Sequence, residues 1–250
     1  MNFDLAQLAP AGFTIIVGAA WCTVFVLYFV AAPYGRHDRP GWGPGVPQRI
    51  AWLLMELPSL AAFLAGWLSN GLPKNPLSWA LGLVWTIHYG HRTFLYPLLL
   101  RPRPGATMKL LLVLMAVVFN VMNGGLNGLF LAQALRPEWD LAATVGLSIA
   151  ALGFASNLKA DATLRALRRE NTGYQIPQGG LYRWVSCPNY LSELVEWTGF
   201  AIAAASPFGW SFAIFTAANL VPRAVASHHW YRTTFLDYPT ERRAIIPYVL

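Results

Sequence analysis

The sequence predicts an all-α fold: a seven-transmembrane-helix bundle with the N-terminus outside and the C-terminus cytosolic. Three observations predict it. Hydrophobic residues make up 56% of the 250 and charged residues only 12%, where a soluble domain carries roughly 25% charged. The apolar residues fall in runs near the ~20 residues that a helix needs to cross about 30 Å of hydrocarbon. Lys and Arg segregate by side. With the N-terminus outside, sixteen of the eighteen fall inside, and only Lys74 and Arg136 fall outside, which is the bias that orients membrane proteins.

The spans are expected near 11–31, 50–69, 77–98, 108–133, 141–159, 189–207 and 209–226, with a cytosolic loop 159–188 and a tail 227–250, all within one domain. Turn-forming stretches separate them, among them "SNGLPKNP", "RPRPGA", "LRPEWD" and "SPFGW". The net charge of +7 is accounted for first by topology, so no nucleic-acid partner is expected. Cys22 and Cys187 are far apart and in different surroundings, which argues against a disulfide framework or a cysteine metal site. The start "MNFDLAQLAP" has an acid and no basic stretch, so a cleaved signal peptide is not expected.

Ionisable residues inside spans are functional candidates, because each costs roughly 2.5–3.5 kcal/mol at mid-span. In the second span Glu56 lies seven residues after Arg49, ~10 Å into the membrane. It either neutralises a nearby Arg or is a desolvated carboxyl able to donate a hydrogen bond. Pro58, two residues on, frees a carbonyl there. In the third span, "IHYGHRTFLYPLLLRPRP" sets Tyr89, Arg92 and Tyr96 on one helical face. An aromatic belt at the interface suits Tyr96 and His88. It suits Arg92 less well, since Arg92 lies nine residues before Arg101, ~13 Å from the inner end.

The fourth span, "FNVMNGGLNGLF", carries three Asn and three Gly. Close helix packing and ligand lining explain these equally well, and the Asn residues are not assigned to the site. The fifth span ends in a polar stripe of Asn157, Asp161, Arg165 and Arg168, as a solvated helix end would. After the loop, Asn189, Glu193 and Glu196 share a face, and the last span adds Arg223, His228, His229 and Tyr231. Adjacent histidines point in different directions, so no metal site is expected. The inner half of the bundle is thus polar and cationic, suited to a large anionic cofactor entering from the cytosol. No glycine-rich phosphate loop is present, so Arg side chains would hold the phosphates.

The segments "WLLMELPS", "HYGHRTFLYPLLLRPRP", "SNLKADATLRALR", "GYQIPQGGLYRWVSCPNYLSELVEW" and "DYPTERRAIIPYVL" resemble the steroid 5-alpha-reductase family (3-oxo-5-alpha-steroid 4-dehydrogenase) over the whole chain. The resemblance implies NADPH-dependent reduction of the Δ4 double bond of 3-ketosteroids of the testosterone or progesterone type, by hydride transfer to the enone β-carbon. It implies that Glu56 and Tyr89 are catalytic, hydrogen-bonding the 3-keto oxygen as charge develops there. It implies a cofactor site of Arg92, Tyr96, Arg103, Asn157, Asp161, Arg168, Tyr174, Asn189, Glu193, Arg223 and Tyr231. Trp52 would line the steroid cavity beside Met55, which stands where related proteins carry Gln.

The expected partners are a lipophilic steroid and the bilayer, with the chain a monomer in a bacterial inner membrane or the endoplasmic reticulum. Alternatives are a sterol or other lipid enone reductase, and a membrane S-adenosylmethionine-dependent methyltransferase, which would leave the Arg excess unexplained. A seven-span receptor or transporter would place its site at the midplane or the outer face.

Overall fold

The computed structural model describes residues 14, 15, 18, 41–102, 104–133, 138–170 and 173–250. The expected first span, with Cys22, lies largely outside the described residues. Thr14, Ile15 and Gly18 are helical.

Among the described residues six long helices follow in order. Helix α1 is Gln48–Trp67. Helix α2 is Pro76–Gly90, and it runs through a π-helical turn His91–Leu95 into a last turn Tyr96–Leu99. Helix α3 is Leu110–Ala132, α4 is Leu141–Glu170, α5 is Pro188–Ala204 and α6 is Pro207–Thr234. Pro76, Pro188 and Pro207 each open a helix, where the missing N–H costs nothing. The side chains of Asn75 and Ser206 accept from the free N–H groups of the first turns of α2 and α6. Two three-residue strands, β1 (Gly45–Pro47) and β2 (Thr107–Lys109), pair antiparallel with Val46 opposite Met108. They tie the start of α1 to the start of α3.

The observed bounds follow the expected ones closely for α1, α2, α3 and α5. Helix α4 differs. It continues to Glu170, well past the expected end at 159, so the first part of the expected 159–188 loop is helix. Its polar stripe keeps a helical spacing, and Ala, Leu and Arg there are good helix formers. Helix α6 likewise runs on to Thr234. Three described helices are long and apolar enough to cross a membrane: Gln48–Trp67, Leu110–Ala132 and Leu141–Arg168.

Helix α1 packs along α3, α4 along α5, and α6 against α5, while α2 touches α1, α3, α4 and α5. Small residues permit the closest approaches. A Cβ on Gly124 would lie 2.4 Å from the Ser59 carbonyl oxygen, and one on Gly153 2.4 Å from the Glu196 nitrogen, so backbones touch there. The polarity is inverted relative to a soluble protein. Leu53, Leu54, Leu57, Leu114 and Val118 are exposed, while Asn123, Asn157, Asp161, Glu196 and Arg223 are buried. An apolar exterior suits lipid. The centre is aromatic: Trp85 stacks on Phe63 at 4.8 Å and Tyr89 at 5.1 Å, and meets Trp197, Phe200 and Phe212.

The residues after α6 fold back on the loop before α5. Val185 bridges Arg243, and the buried Arg242 donates to the Pro177 carbonyl at 2.9 Å and to Gln178 Oε1 at 2.7 Å. Ser186 Oγ lies 2.6 Å from both His228 Nδ1 and the Tyr238 hydroxyl.

Candidate active site

The site grows from the inward face of α1. Trp52, Glu56 and Ser59 recur at helical spacing, and Pro58 denies the Leu54 carbonyl its usual donor. Across from them, α2 carries Tyr89 and then widens into its π turn at His91–Leu95, the stretch that holds Arg92. Such turns recur at functional sites. Arg92 Nη2 lies 3.6 Å from Glu56 Oε1. Its guanidinium is sandwiched between the rings of Trp52 (4.5 Å) and Tyr96 (4.7 Å), which meet edge to face at 5.0 Å. A planar cation between two ring faces is fixed in direction as well as in charge. Glu56 is thus a carboxylate that meets the Arg92 guanidinium inside the bundle.

Tyr89 is buried against Trp85 and Trp197, close enough to Glu56 for the carboxyl to act on its phenol. Its neighbour His88 is not an interface anchor, as the aromatic-belt reading had it. His88 is only 3% exposed, and its Nδ1 lies 2.8 Å from Glu196 Oε1 on α5. The His88–Glu196 pair was not legible as a pair, because the two residues lie 108 apart in the chain. The one available signal was that each sits one helical step from a site residue. Glu193, partly buried on α5, adds a further carboxyl that acts on Arg92.

A second group adjoins the first. Asn157 donates to the Asn189 carbonyl at 2.9 Å, and Asn189 Nδ2 reaches Asp161 Oδ1 at 3.4 Å, which locks α4 to the start of α5. Asp161 acts electrostatically on both Arg92 and Tyr96. Tyr182, in the 3-10 turn Gly180–Arg183, donates to the Ala160 carbonyl at 3.3 Å, and burial holds its phenol protonated. A third group lies on α6. The buried Arg223 donates from Nε to the Tyr190 hydroxyl at 2.9 Å. Tyr231 stacks on Tyr238 at 5.3 Å. Tyr174 meets Trp230 edge to face at 4.9 Å, and Trp230 meets Tyr231.

The structure therefore brings Trp52, Glu56, Tyr89, Arg92, Tyr96 and Glu193 together, with Asn157, Asp161 and Asn189 beside them. Arg223, Tyr231 and Tyr174 follow toward the tail. Arg168 is exposed, and Arg103 lies outside the described residues. Met55 packs beside Ala51, Met108 and Val113, in a small core against which Trp52 also packs. These residues suit a phosphorylated dinucleotide. Arg165, which carries a buried Nη1 without a hydrogen-bond partner, stands one helical turn from Asp161 and supplies an N–H group that an anionic oxygen would satisfy. Among the described residues no cluster of three or more metal-ligating side chains occurs.

Comparison with known proteins decides the family. Residues 106–250 match the family model described as 3-oxo-5-alpha-steroid 4-dehydrogenase. The chain is 40% identical over 234 residues to steroid 5-alpha-reductase DET2 of Gossypium hirsutum, covering 89% of this chain and 90% of that protein. It belongs to the steroid 5-alpha-reductase family. Its identity to 3-oxo-5-alpha-steroid 4-dehydrogenase 1 is 38% in Bos taurus, over 90% of each chain. In Homo sapiens it is 39%, over 86% of this chain and 85% of that one. A steroid 5-alpha-reductase family member is an oxidoreductase acting on a CH–CH group, and the receptor, transporter and methyltransferase readings fall away.

Proposed function

We propose that this protein is a membrane-embedded reductase that saturates the Δ4 double bond of 3-ketosteroids of the testosterone or progesterone type, giving 5α-dihydrosteroids, with NADPH as reductant. The observation that carries this reading is the convergence of Glu56, Tyr89 and Arg92 at one end of an aromatic interior. NADPH, when bound, supplies the hydride for the enone β-carbon. As that bond forms, the enone π electrons move toward the carbonyl, and the 3-keto oxygen gains negative charge. Tyr89 donates its phenolic hydrogen to that oxygen. Donors fixed before the reaction favour the charged transition state over the neutral ketone.

Arg92 holds the Glu56 carboxyl by charge, so Glu56 orients Tyr89 and closes the polar end of the cavity. The enolate takes its α-carbon proton from solvent. Trp52 and Met55 are assigned to the steroid cavity. Arg92, Tyr96, Arg103, Asn157, Asp161, Arg168, Tyr174, Asn189, Glu193, Arg223 and Tyr231 are assigned to the dinucleotide, Arg side chains to phosphates and carboxylates to ribose hydroxyls. The bundle spans the membrane seven times as a monomer, N-terminus outside and C-terminus cytosolic, in a bacterial inner membrane or the endoplasmic reticulum.

The test uses purified protein in detergent. NADPH should raise its melting temperature more than NADH does, because a ligand at 100 times its Kd stabilises by about 2.7 kcal/mol. Testosterone or progesterone should then gain the mass of two hydrogens. Stabilisation by S-adenosylmethionine and not by NADPH, or no mass gain from any 3-keto-4-ene, contradicts the reading.

A further inference from the structure

Two polar side chains next to this site have no partner. Ser59 and Asn123 are both 0% exposed, and neither Ser59 Oγ nor Asn123 Nδ2 has a hydrogen-bond partner. Helices α1 and α3 are in backbone contact at this level, through Gly124 and Ser59. The other α3 asparagines are committed. Asn120 donates to the Met55 carbonyl at 2.7 Å, and Asn127 Nδ2 donates to Asn123 Oδ1 at 3.1 Å. That last bond takes the oxygen of the Asn123 amide and leaves its NH2 as the unmet end.

Ser59 lies on the face of α1 that carries Glu56, and Asn123 stands next to Gly124, which touches the Ser59 backbone. Ser59 lies three residues after Glu56, on the same helical face, beside the Tyr89 phenol, and its Oγ is without a partner. Asn123 shares its face of α3 with Phe119, one turn before. The Phe119 ring meets Phe212 at 6.3 Å, Phe212 meets Trp85 at 5.4 Å, and Trp85 stacks on Tyr89. A buried donor left unmet is costly, and such groups mark places where a ligand or a reacting state completes the bond.

We propose that Ser59, backed by Asn123, is a positioning residue for Tyr89; this rests on the role given to Tyr89 above. A phenol has one hydrogen and two lone pairs. When the Ser59 hydroxyl donates to the Tyr89 oxygen, the Tyr89 hydrogen is directed away from Ser59, toward the substrate oxygen. Asn123 Nδ2 in turn donates to Ser59 Oγ, so three donors point one way. As charge grows on the substrate oxygen, the Tyr89 oxygen becomes a better acceptor and the bond from Ser59 strengthens. No proton leaves Ser59 or Asn123.

The test is a double-mutant cycle on the full chain in lipid nanodiscs, with NADPH and testosterone. Ser59→Ala should lower kcat about tenfold, the effect of one lost hydrogen bond, with KM and NADPH affinity changed by less than about twofold. Ser59→Thr, which restores the hydroxyl, should recover most of kcat, and Asn123→Ala should lower it about threefold. In a Tyr89→Phe background Ser59→Ala should have no further effect. Equal factors in both backgrounds, an unchanged kcat, or a loss confined to KM or NADPH affinity overturns the proposal. If Ser59→Ala does not fold, the same cycle run with Asn123→Ala decides. A wild-type protein that reduces no enone overturns the proposed function instead, whereas an active wild type with an additive cycle overturns only the role of Ser59.

Discussion

The two ends of the polar interior are built in opposite ways. At the clasp between the tail and the loop before α5, polar groups have partners close at hand. Arg242 has two acceptors and leaves only its Nε unmatched, and Ser186 lies within hydrogen-bond reach of His228, Tyr238 and the Arg243 carbonyl. At the α1–α2 end, Ser59, Asn123 and Trp52 each keep a buried atom unmatched, and the Arg92–Glu56 ion pair is loose at 3.6 Å. A nearly complete network rigidifies, and a sparser one leaves groups for something else to complete. The contrast distinguishes scaffold from site within one bundle, although both regions look equally polar in the sequence.

Breaking the α1–α2 end should cost chemistry and little stability. Tyr89→Phe should lower turnover on the order of 100-fold, the scale of one lost donor at a developing oxyanion, and Glu56→Gln, which acts through Tyr89, should lower it less, as read by steady-state kinetics with testosterone. Their melting temperatures should stay near that of the wild type. Breaking the clasp should do the reverse. Arg242→Ala removes a buried cation and leaves the Pro177 and Gln178 acceptors unmet, a loss of about 2–3 kcal/mol. Thermal unfolding should report it, and kcat of the folded fraction should be largely retained.

Smaller effects sharpen the comparison. Gly124→Ala forces α1 and α3 apart at Ser59 and should destabilise by about 1–3 kcal/mol. It should also lower turnover, because the seam it opens carries Ser59. The clasp should respond mildly to pH. Burial first, then Arg232, Arg243 and His229, holds the His228 imidazole below its ordinary value. Its neutral form is therefore favoured by folding, and this contribution is present above the unfolded value of about 6.5 and lost as pH falls through the folded one. Melting temperature measured from pH 8 down to pH 5 should fall slightly in the wild type, and less in His228→Gln.

Much of this architecture was legible in the chain itself. Apolar runs and prolines marked α1, α3 and α5 to within a few residues, because lipid and the missing N–H of proline act locally. The grouping of Glu56, Tyr89, Arg92 and Tyr96 was legible from spacing and from resemblance. The end of α4 is not marked locally, because its last turns exchange apolar for polar residues without losing helical propensity. The partners were hidden. Glu56 with Arg92, His88 with Glu196 and Arg242 with Pro177 are each set by which helices lie side by side, and no local pattern encodes that. Asn123 is not assignable between packing and ligand lining from the sequence, because a small polar residue on a glycine-rich seam serves either. Only the bond from Asn127 to its oxygen reveals the unmet donor.

The central claim is that Tyr89 with Glu56 serves the chemistry, while the polar and cationic residues along α4 to α6 serve cofactor binding. One preparation of Tyr89→Phe, assayed for both NADPH affinity and steroid turnover, tests it most directly. The account predicts affinity within about twofold of the wild type and turnover lowered on the order of 100-fold. Lost NADPH affinity, or turnover equal to the wild type, would contradict it.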